Sequence, residues 1–342
     1  MRPLTFLFAL TFGFLLNGPT PAIAQQGSTL FTESEPLKLE IRYDHRRLRR
    51  QRFQNDYIPG EVTIWMNSSD SLAGEIGVRP RGNNRRQRCR YTPLKIDFDP
   101  AEFDHPDWQG IKSLKLVSPC QAGPTYEQYL YQEYLVYLLY QQLTPMSFRV
   151  RLAEITFIDT RKGGSYTLPA FFIEDIDDLA ARNGCFELEP EVLSPEFLDE
   201  STTHLMAMFQ YMIGNTDWYI ANLHNMKVIR PQEVANQYLY PIPYDFDYCG
   251  LVDARYAVPR ESLGTEDVKQ RLYLGPCLED ADIQQAADLF LERQDALVQV
   301  YESQSLLIPS EKSSSLYYID QFFELLEDPE VIKDRVRMSC MD

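Results

Sequence analysis

Apolar and polar residues alternate along several short segments in the first half of the chain. Residues 37–43 alternate at every position, which is typical of a β-strand with one buried face. Further strands are predicted at residues 62–66, 74–81, 93–98, 113–117, 150–159 and 166–174. A helix is predicted from about Thr125 to Leu143, where Thr144 and Pro145 end it. The first half is therefore predicted to be an antiparallel sheet that carries one helix.

The spacing of apolar residues changes in the second half. Residues 194–213, 283–301 and 315–326 repeat apolar residues every three or four positions, as amphipathic helices do. A short strand pair is predicted within residues 217–250, after the first of these helices. A mostly β first half and a mostly α second half, joined near residues 176–183, indicate an α+β protein with a cleft between two lobes.

The first 24 residues have the features of a secretory signal sequence. Arg2 precedes an apolar run of 13 residues, and Ala22-Ile-Ala24 supplies a cleavage site with small residues. The run is too short to cross a membrane, and no later segment approaches the roughly 20 residues needed. We therefore expect a secreted or periplasmic protein without a transmembrane segment after cleavage near Ala24. Residues 25–36 are then a linker, residues 37–175 a β-rich lobe and residues 176–342 a helical lobe.

Charge and cysteine usage narrow the class of protein. The chain has 50 acidic residues against 33 Lys and Arg, a net charge of −17 at pH 7. Such a charge repels nucleic acid and anionic membranes and excludes them as general partners. An even number of cysteines after a signal sequence predicts up to three disulfides, with the pairing open. The six cysteines are Cys89, Cys120, Cys185, Cys249, Cys277 and Cys340.

One basic cluster contrasts with this acidic background. Six arginines, including Arg81, fall within residues 79–90. In an acidic protein, such a cluster either binds phosphate or forms a solvated loop that balances nearby acids. Both interpretations stay open.

A single charge interrupts the predicted helix at residues 125–143. Glu133 is the only charged residue among residues 128–141, and it shares a face with apolar side chains. A buried carboxylate without a partner costs roughly several kcal/mol, so a cation is expected beside it. Lys115, in the strand just before the helix, is the first candidate, and Lys95 competes with it. The alternative is an exposed helix position and an edge-strand lysine.

Carboxylates and amides recur around the predicted strand pair. Asp217 precedes the first strand, Asn225 begins it, and Asp245 and Asp247 follow the second strand. If that last segment is extended, its two carboxylates share one face, and a divalent cation would offset their repulsion. Phosphoryl transfer needs one carboxylate facing the acceptor hydroxyl, and an Asn and a second carboxylate holding a metal. Asn222 competes with Asn225 for the role of the metal-binding Asn.

Other interpretations of these residues remain open. An Asp in a Gly-Asn-Thr-Asp turn often serves only the turn. Two acids after a strand also suit a hydrated hairpin tip. Asp217 and Asp245 would satisfy the two-carboxylate requirement of a glycoside hydrolase on spacing alone.

The order of these segments resembles the CotH-like kinases, a family of secreted atypical protein kinases named for a spore-coat protein. The resemblance spans about residues 76–250. It rests on Arg81-Gly-Asn, Pro93-Leu-Lys-Ile-Asp-Phe, the Glu133 helix, Ser147-Phe-Arg-Val-Arg-Leu, Ala170-Phe-Phe-Ile-Glu174, Gly214-Asn-Thr-Asp217-Trp, His224-Asn225 and Ile242-Pro-Tyr-Asp-Phe-Asp247. The chain departs from the usual kinase pattern because it lacks His-Arg before Asp217 and has no later Ala-Pro-Glu element.

The resemblance implies a fold and a set of ligands. The fold would be α+β and two-lobed, like that of a protein kinase, with a mostly β N-terminal lobe that carries one key helix. The ligands would be ATP and Mg²⁺ or Mn²⁺, and the substrate a protein in the cell envelope or outside the cell. A non-catalytic envelope binding or assembly protein on the same scaffold is the competing interpretation.

The resemblance also implies residue roles. Asp217 would be the catalytic Asp, and the implied metal ligands are Asn225 and Asp245, with Asn222 and Asp247 as further candidates. On the nucleotide side, the implied residues are Lys115 paired with Glu133, then Lys95 and Arg81, and Glu174 at a hinge facing adenine.

Overall fold

The computed structural model describes residues 29–67, 69–233 and 238–341, except for the side chains of Asn83 and Asn84. The predicted signal sequence, residues 1–24, lies outside the described residues, as does the first part of the predicted linker. The division into lobes at residue 175 stays a prediction.

Seven strands within the described residues close into a barrel. They are β1 (Leu37–Tyr43), β2 (Ile58–Trp65), β3 (Ser71–Pro80), β4 (Leu94–Phe98), β5 (Ser113–Val117), β6 (Val150–Asp159) and β7 (Ser165–Ile173). Their order around the barrel is β1-β2-β3-β4-β5-β7-β6. Neighbouring strands run antiparallel except β1 and β6, which pair in parallel over seven residue pairs.

The alternation of apolar and polar residues along each strand explains why the inside of the barrel is apolar. Every second residue of β1 is buried, and the same period places apolar residues of the other strands in one enclosed core. Ile41, Ile64, Val78, Ile96 and Leu116 belong to it, each with no accessible surface. The outward positions of each strand are left to interact with loops, helices or solvent.

Most of the remaining elements pack around a second core on one outer side of the barrel, whereas α1 joins the barrel core through Leu48. The helices are α1 (His45–Arg50), α2 (Asn83–Arg88), α3 (Pro124–Leu143), α4 (Ile176–Arg182), α5 (Glu200–Met212), α6 (Asp280–Glu292), α7 (Gln294–Glu302), α8 (Pro309–Leu326) and α9 (Pro329–Ser339). Helix α3 packs against β6 and β7. The strands β8 (Cys185–Leu188), β9 (Met226–Pro231) and β10 (Tyr240–Pro243) form a separate antiparallel sheet in the order β10-β9-β8.

The predicted α+β, two-lobed fold of the protein-kinase type is wrong. The first-half strands do not form an open antiparallel sheet, because the parallel pairing of β1 with β6 closes them into a mixed barrel. That pairing joins Leu37 to Ala153 and Tyr43 to Asp159. Alternation within a segment sets which face is buried, but it does not specify a partner so distant in the chain.

Two disulfides form among the described residues. Cys89 is bonded to Cys120, and Cys277 to Cys340. Cys185 and Cys249 are buried free thiols. The first disulfide joins the end of α2 to the segment after β5, and the second joins the segment before α6 to the end of α9. Among the described helices, none combines the length and apolarity that a membrane span requires.

Candidate functional site

Asp217 and Asn225 lie against each other at the start of β9. The Asn225 side chain donates from Nδ2 to the carbonyl oxygen of Asp217 at 2.7 Å and to its Oδ2 at 3.0 Å. Nε2 of His224 lies 3.0 Å from Oδ1 of Asp217. The Asp217 carboxylate is thereby fixed in position while 29% of its side chain stays exposed. Because Asn225 uses its nitrogen in these bonds, its Oδ1 is left to accept from, or coordinate, another group.

Asp245 is held beside this pair by backbone hydrogen bonds. The Tyr244 N–H donates to the carbonyl oxygen of Asn225 at 3.0 Å, and the Asp245 N–H donates to the Tyr137 hydroxyl at 2.9 Å. Asn225 and Asp245 both have left-handed backbone, with φ of 54° and 65°. Such values are uncommon outside glycine and cluster at functional sites, where surrounding contacts hold them. The segment is therefore not extended at Asp245, so the condition for placing the Asp245 and Asp247 carboxylates on one face of a strand is not met.

Three carboxylates converge next to this turn. Glu133 of α3, Asp245 and Asp247 each bring one oxygen within 4.8 Å of the others. Arg85 of α2 lies among them, with Nη2 at 2.7 Å from both Glu133 Oε2 and Asp247 Oδ2, but 3.9 Å from Asp245 Oδ1. Its Nε also donates to Asp247 Oδ2 at 2.9 Å. Asp245 is the least neutralised of the three and, with 34% of its side chain exposed, the most accessible.

Burial and crowding set the ionisation of this cluster. Burial raises the pKa of both Glu133 and Asp247, although the charge of Arg85 opposes the rise, and the neighbouring carboxylates add to it. Burial by itself lowers the pKa of Arg85, but the charges of Asp247 and Glu133 raise that pKa well above its usual range. Oε1 of Glu133 is buried without a hydrogen-bond partner among the described residues. Oxygen donors with excess negative charge fit a divalent cation such as Mg²⁺.

Lys115 lies at the edge of the site and does not pair with Glu133. Its Nζ lies over the rings of Tyr244 and Phe148, at 5.2 and 5.4 Å from their centroids. Burial, reinforced by nearby Arg81, lowers the pKa of Lys115 to about 8. The amine therefore remains a cation at neutral pH, and no carboxylate of the described residues lies within ion-pair distance of it.

A row of cations extends from Lys115 across the outer face of the barrel. Lys95 of β4 is the direct partner of Lys115, and Arg79 of β3 is the direct partner of Lys95. Arg81 follows β3, and its backbone N–H donates to the carbonyl oxygen of Pro93 at 2.8 Å. This bond fixes the backbone of Arg81. Like charges on neighbouring strands are unfavourable unless an anion or solvent offsets them.

Glu174 serves the junction between β7 and α4. Its buried carboxylate forms two hydrogen bonds with Arg182, at 2.9 and 3.0 Å, and accepts a third from the Arg149 N–H at 3.0 Å. The Glu174 carboxylate is therefore already hydrogen-bonded to other residues of the protein. Asn222 likewise serves its own turn, because its Oδ1 accepts from the His224 N–H at 3.2 Å.

An open pocket of about 390 Å³ adjoins Asp217. Arg88, Thr216, Tyr248, Tyr256 and Arg260 line it together with Asp217. Tyr256 also forms a side-chain hydrogen bond with Asp247, so this pocket borders the carboxylate cluster. The pocket leaves space for a group to reach the Asp217 carboxylate.

Sequence reasoning missed two residues of this site. Arg85 was one of six clustered arginines, and only the fold shows that it meets the lone charge of α3. Tyr137 lies one turn after Glu133 on the same helix, and its hydroxyl accepts from the Asp245 backbone N–H. The lone helix carboxylate predicted a nearby cation, but Lys115 and Lys95 were the candidates, and the excess of arginine nearby was the signal that could have indicated Arg85.

No family model matches the chain, and no curated protein has significant similarity to it. Among solved structures, the chain is similar to the proinflammatory kinase CtkA of Helicobacter pylori. The TM-score is 0.36 at 9% identity, over 76% of this chain and 94% of that chain. At this score the similarity does not assign a family or an activity.

Proposed function

We propose that this chain is a secreted or periplasmic, CotH-like phosphotransferase that moves the γ-phosphoryl group of ATP to a protein hydroxyl in a metal-dependent reaction. The observation that carries the proposal is the hydrogen-bonded run from Asp217 through Asn225 to the turn at Asp245, which ends at three clustered carboxylates. Phosphoryl transfer depends on positioning and charge neutralisation, and this run supplies groups for both.

Asp245 and Asn225 are the residues that would hold Mg²⁺ or Mn²⁺. Both offer oxygen donors, which these ions prefer, and neither donor is neutralised by a close ion pair. Glu133 and Asp247 add negative charge behind them, shared with Arg85. When bound, the ion would neutralise charge on the phosphate oxygens.

Asp217 would receive the acceptor hydroxyl. Asn225 and His224 orient its carboxylate at the wall of the 390 Å³ pocket, where it is open to solvent. A carboxylate held in this way can accept the hydroxyl proton as the oxygen attacks phosphorus. Lys115 and Arg81 supply positive charge for the phosphates, because Lys115 has no carboxylate partner among the described residues.

Replacing the acceptor-side carboxylate tests the proposal. Asp217→Asn is expected to lower phosphoryl transfer about 100-fold or more, because proton transfer by a positioned base contributes about 10²- to 10⁴-fold. Binding of ATP and Mn²⁺, measured as a rise in melting temperature, should persist because Asp217 is not a proposed ligand of either. Asp320→Asn, an exposed carboxylate on α8, is the control. Transfer unchanged in Asp217→Asn would remove the assigned role.

ATP affinity is expected to fall as the pH rises through about 8. Burial lowers the pKa of Lys115 to about 8, so the amine is a cation below that pH and neutral above it. Calorimetric titration with ATP between about pH 6.5 and about pH 9.5 would measure the change. Folding stability should change in the opposite direction above about pH 8, because the unfolded lysine then binds more protons than the folded one. Lys115→Met should lose the pH dependence of ATP binding, and Lys112→Met, an exposed lysine, should keep it.

Arg85 favours a second candidate function, a non-catalytic binding protein of the cell envelope. Its guanidinium already neutralises Glu133 and Asp247, so the cluster is stable as an internal ion-pair network. In that case, ATP and Mn²⁺ would either raise the melting temperature without any turnover of ATP, or leave the melting temperature unchanged. A thermal-shift titration beside a turnover assay separates the two candidates.

A further inference from the structure

A second cavity lies at one end of the barrel, apart from the carboxylate cluster. Its volume is about 640 Å³, within the range of small-molecule sites. It is bordered by the ends of β1, β3 and β6, the starts of β4 and β7, and by helix α1. None of Asp217, Asn225 or the three clustered carboxylates lines it.

The charge of this cavity is opposite to that of the whole chain. Arg49, Arg52, Arg90 and His45 line it, and no Asp or Glu is among the described residues of its walls, although the chain carries a net charge of −17. Among the described residues, none of the three arginines has a carboxylate within ion-pair distance. Guanidinium groups that converge without an internal counterion favour an anion, and they match the geometry of phosphate.

Aromatic rings form another part of the wall. The His45 ring lies 4.5 Å from Tyr43 and 5.6 Å from Tyr166, and Tyr91 lies 5.0 Å from Tyr166. Arg90 lies over the ring of Tyr91 at 5.5 Å. Flat side chains grouped in this way suit a ligand with a planar ring.

Two polar atoms at this end of the barrel lack partners. Nε2 of His45 and Nε of Arg52 are buried and make no hydrogen bond among the described residues. Buried polar atoms in native proteins are usually satisfied, so an unpaired pair beside a cavity indicates a hydrogen-bonding group that comes from outside the chain.

The backbone that carries the cationic wall is held by a disulfide and by hydrogen bonds. The Cys89–Cys120 disulfide sits beside it, and the N–H groups of Arg90 and Tyr91 both donate to the Cys120 carbonyl oxygen, at 2.9 and 3.3 Å. On the opposite side, Asp44 caps α1 through the Arg47 N–H at 2.8 Å. A wall ordered before binding reduces the entropy that a ligand must overcome.

We propose that this barrel-end cavity binds a small phosphorylated molecule with an aromatic ring. The guanidinium groups of Arg49 and Arg90 bind the phosphate, and the tyrosine and histidine rings pack against the ring of the ligand. The site is independent of the proposed phosphotransferase function, because it shares no residue with it.

Calorimetric titration of the purified chain with phenyl phosphate tests this site. We expect saturable binding that is at least about 10-fold tighter than that of inorganic phosphate, with none for the neutral ring compound benzyl alcohol. Arg49→Gln and Arg90→Gln should each weaken binding of phenyl phosphate about 10-fold, since each removes a charged hydrogen-bond donor. Arg50→Gln, on the same helix but outside the cavity wall, should bind like the unaltered chain.

Asp245→Asn separates this cavity from the ATP site. It should bind phenyl phosphate with the affinity of the unaltered chain. No saturable binding, equal binding of inorganic phosphate, or unchanged affinity in both arginine variants would overturn the proposal. Thermal unfolding of each variant confirms that a lost signal does not come from a lost fold.

Discussion

Asp245→Asn is expected to abolish metal-dependent ATP turnover while leaving the fold intact. The change removes the least neutralised carboxylate of the cluster, and with it the charge that would hold the divalent ion. A metal supplies several kcal/mol of transition-state stabilisation, so turnover should fall about 10³-fold. Asn keeps nearly the same shape and tolerates the left-handed backbone that Asp245 adopts, which limits the structural cost. Release of ADP under saturating ATP and Mn²⁺ would be measured.

The matched control is Asp253→Asn. Asp253 also has a left-handed backbone, with φ of 49°, and lies in the same segment, but its carboxylate is exposed and pairs with Lys269. Its replacement should leave turnover and the Mn²⁺-dependent thermal shift unchanged. If Asp245→Asn turns over ATP as fast as Asp253→Asn does, the assigned metal site is wrong.

Arg85→Met is expected to lower the free energy of unfolding by about 3–5 kcal/mol. The guanidinium is the cation of a buried cluster, and only 3% of the Glu133 side chain and 6% of the Asp247 side chain are exposed. Removing it leaves these carboxylates without a counterion, which is more damaging than removal of an entire buried pair. Urea denaturation would measure the change through the midpoint at constant slope.

Two controls make this result specific. Arg86→Met alters the next residue of the same helix, whose guanidinium contacts Asn55 at the surface, and should cost less than about 0.5 kcal/mol. Adding Glu133→Gln to Arg85→Met should recover part of the loss, because one uncompensated charge disappears. An equal loss in Arg86→Met, or no recovery in the double variant, would contradict the buried-charge explanation.

The cost of Arg85→Met should also depend on pH. Burial raises the pKa of Glu133 and Asp247, so the folded protein takes up protons at these groups more readily than the unfolded chain does. Without Arg85, the pKa of both carboxyl groups rises further, and the folded protein takes up these protons still more readily. Lowering the pH neutralises both carboxylates, and the difference in stability between the variant and the unaltered chain should shrink.

Local periodicity predicted the elements of the first half well. The strand at residues 37–43 and the helix near 125–143 match β1 and α3, because alternation and helical spacing are both local properties. The helix predicted at residues 283–301 is interrupted at Arg293, where α6 ends and α7 begins. The apolar spacing continues through this break, so the sequence does not reveal it. Closure of the barrel was also missed, because it depends on a parallel pairing between distant strands.

The candidate site shows the same division between local and distant information. Asp217 and Asn225 are eight positions apart and meet through a turn, so their pairing could be anticipated from the chain. The partner of Glu133 could not be anticipated in this way. Arg85 lies on a short helix 48 positions away, and only the path of the chain around the barrel brings it to α3. Lys115 was preferred because it lies in the strand just before the helix, in the order that kinases use, but the order of segments does not determine which cation meets a buried carboxylate.

The parallel pairing of β1 with β6 has a consequence for how the chain acquires its structure. During synthesis, one edge of strand β1 has no partner until the residues of β6 follow, more than a hundred positions later. Closing so large a loop is entropically costly, and topologies rich in such contacts fold slowly. During that interval an apolar, hydrogen-bonding edge is open to other chains. We therefore expect refolding yield to decrease with protein concentration and to improve when aggregation is suppressed.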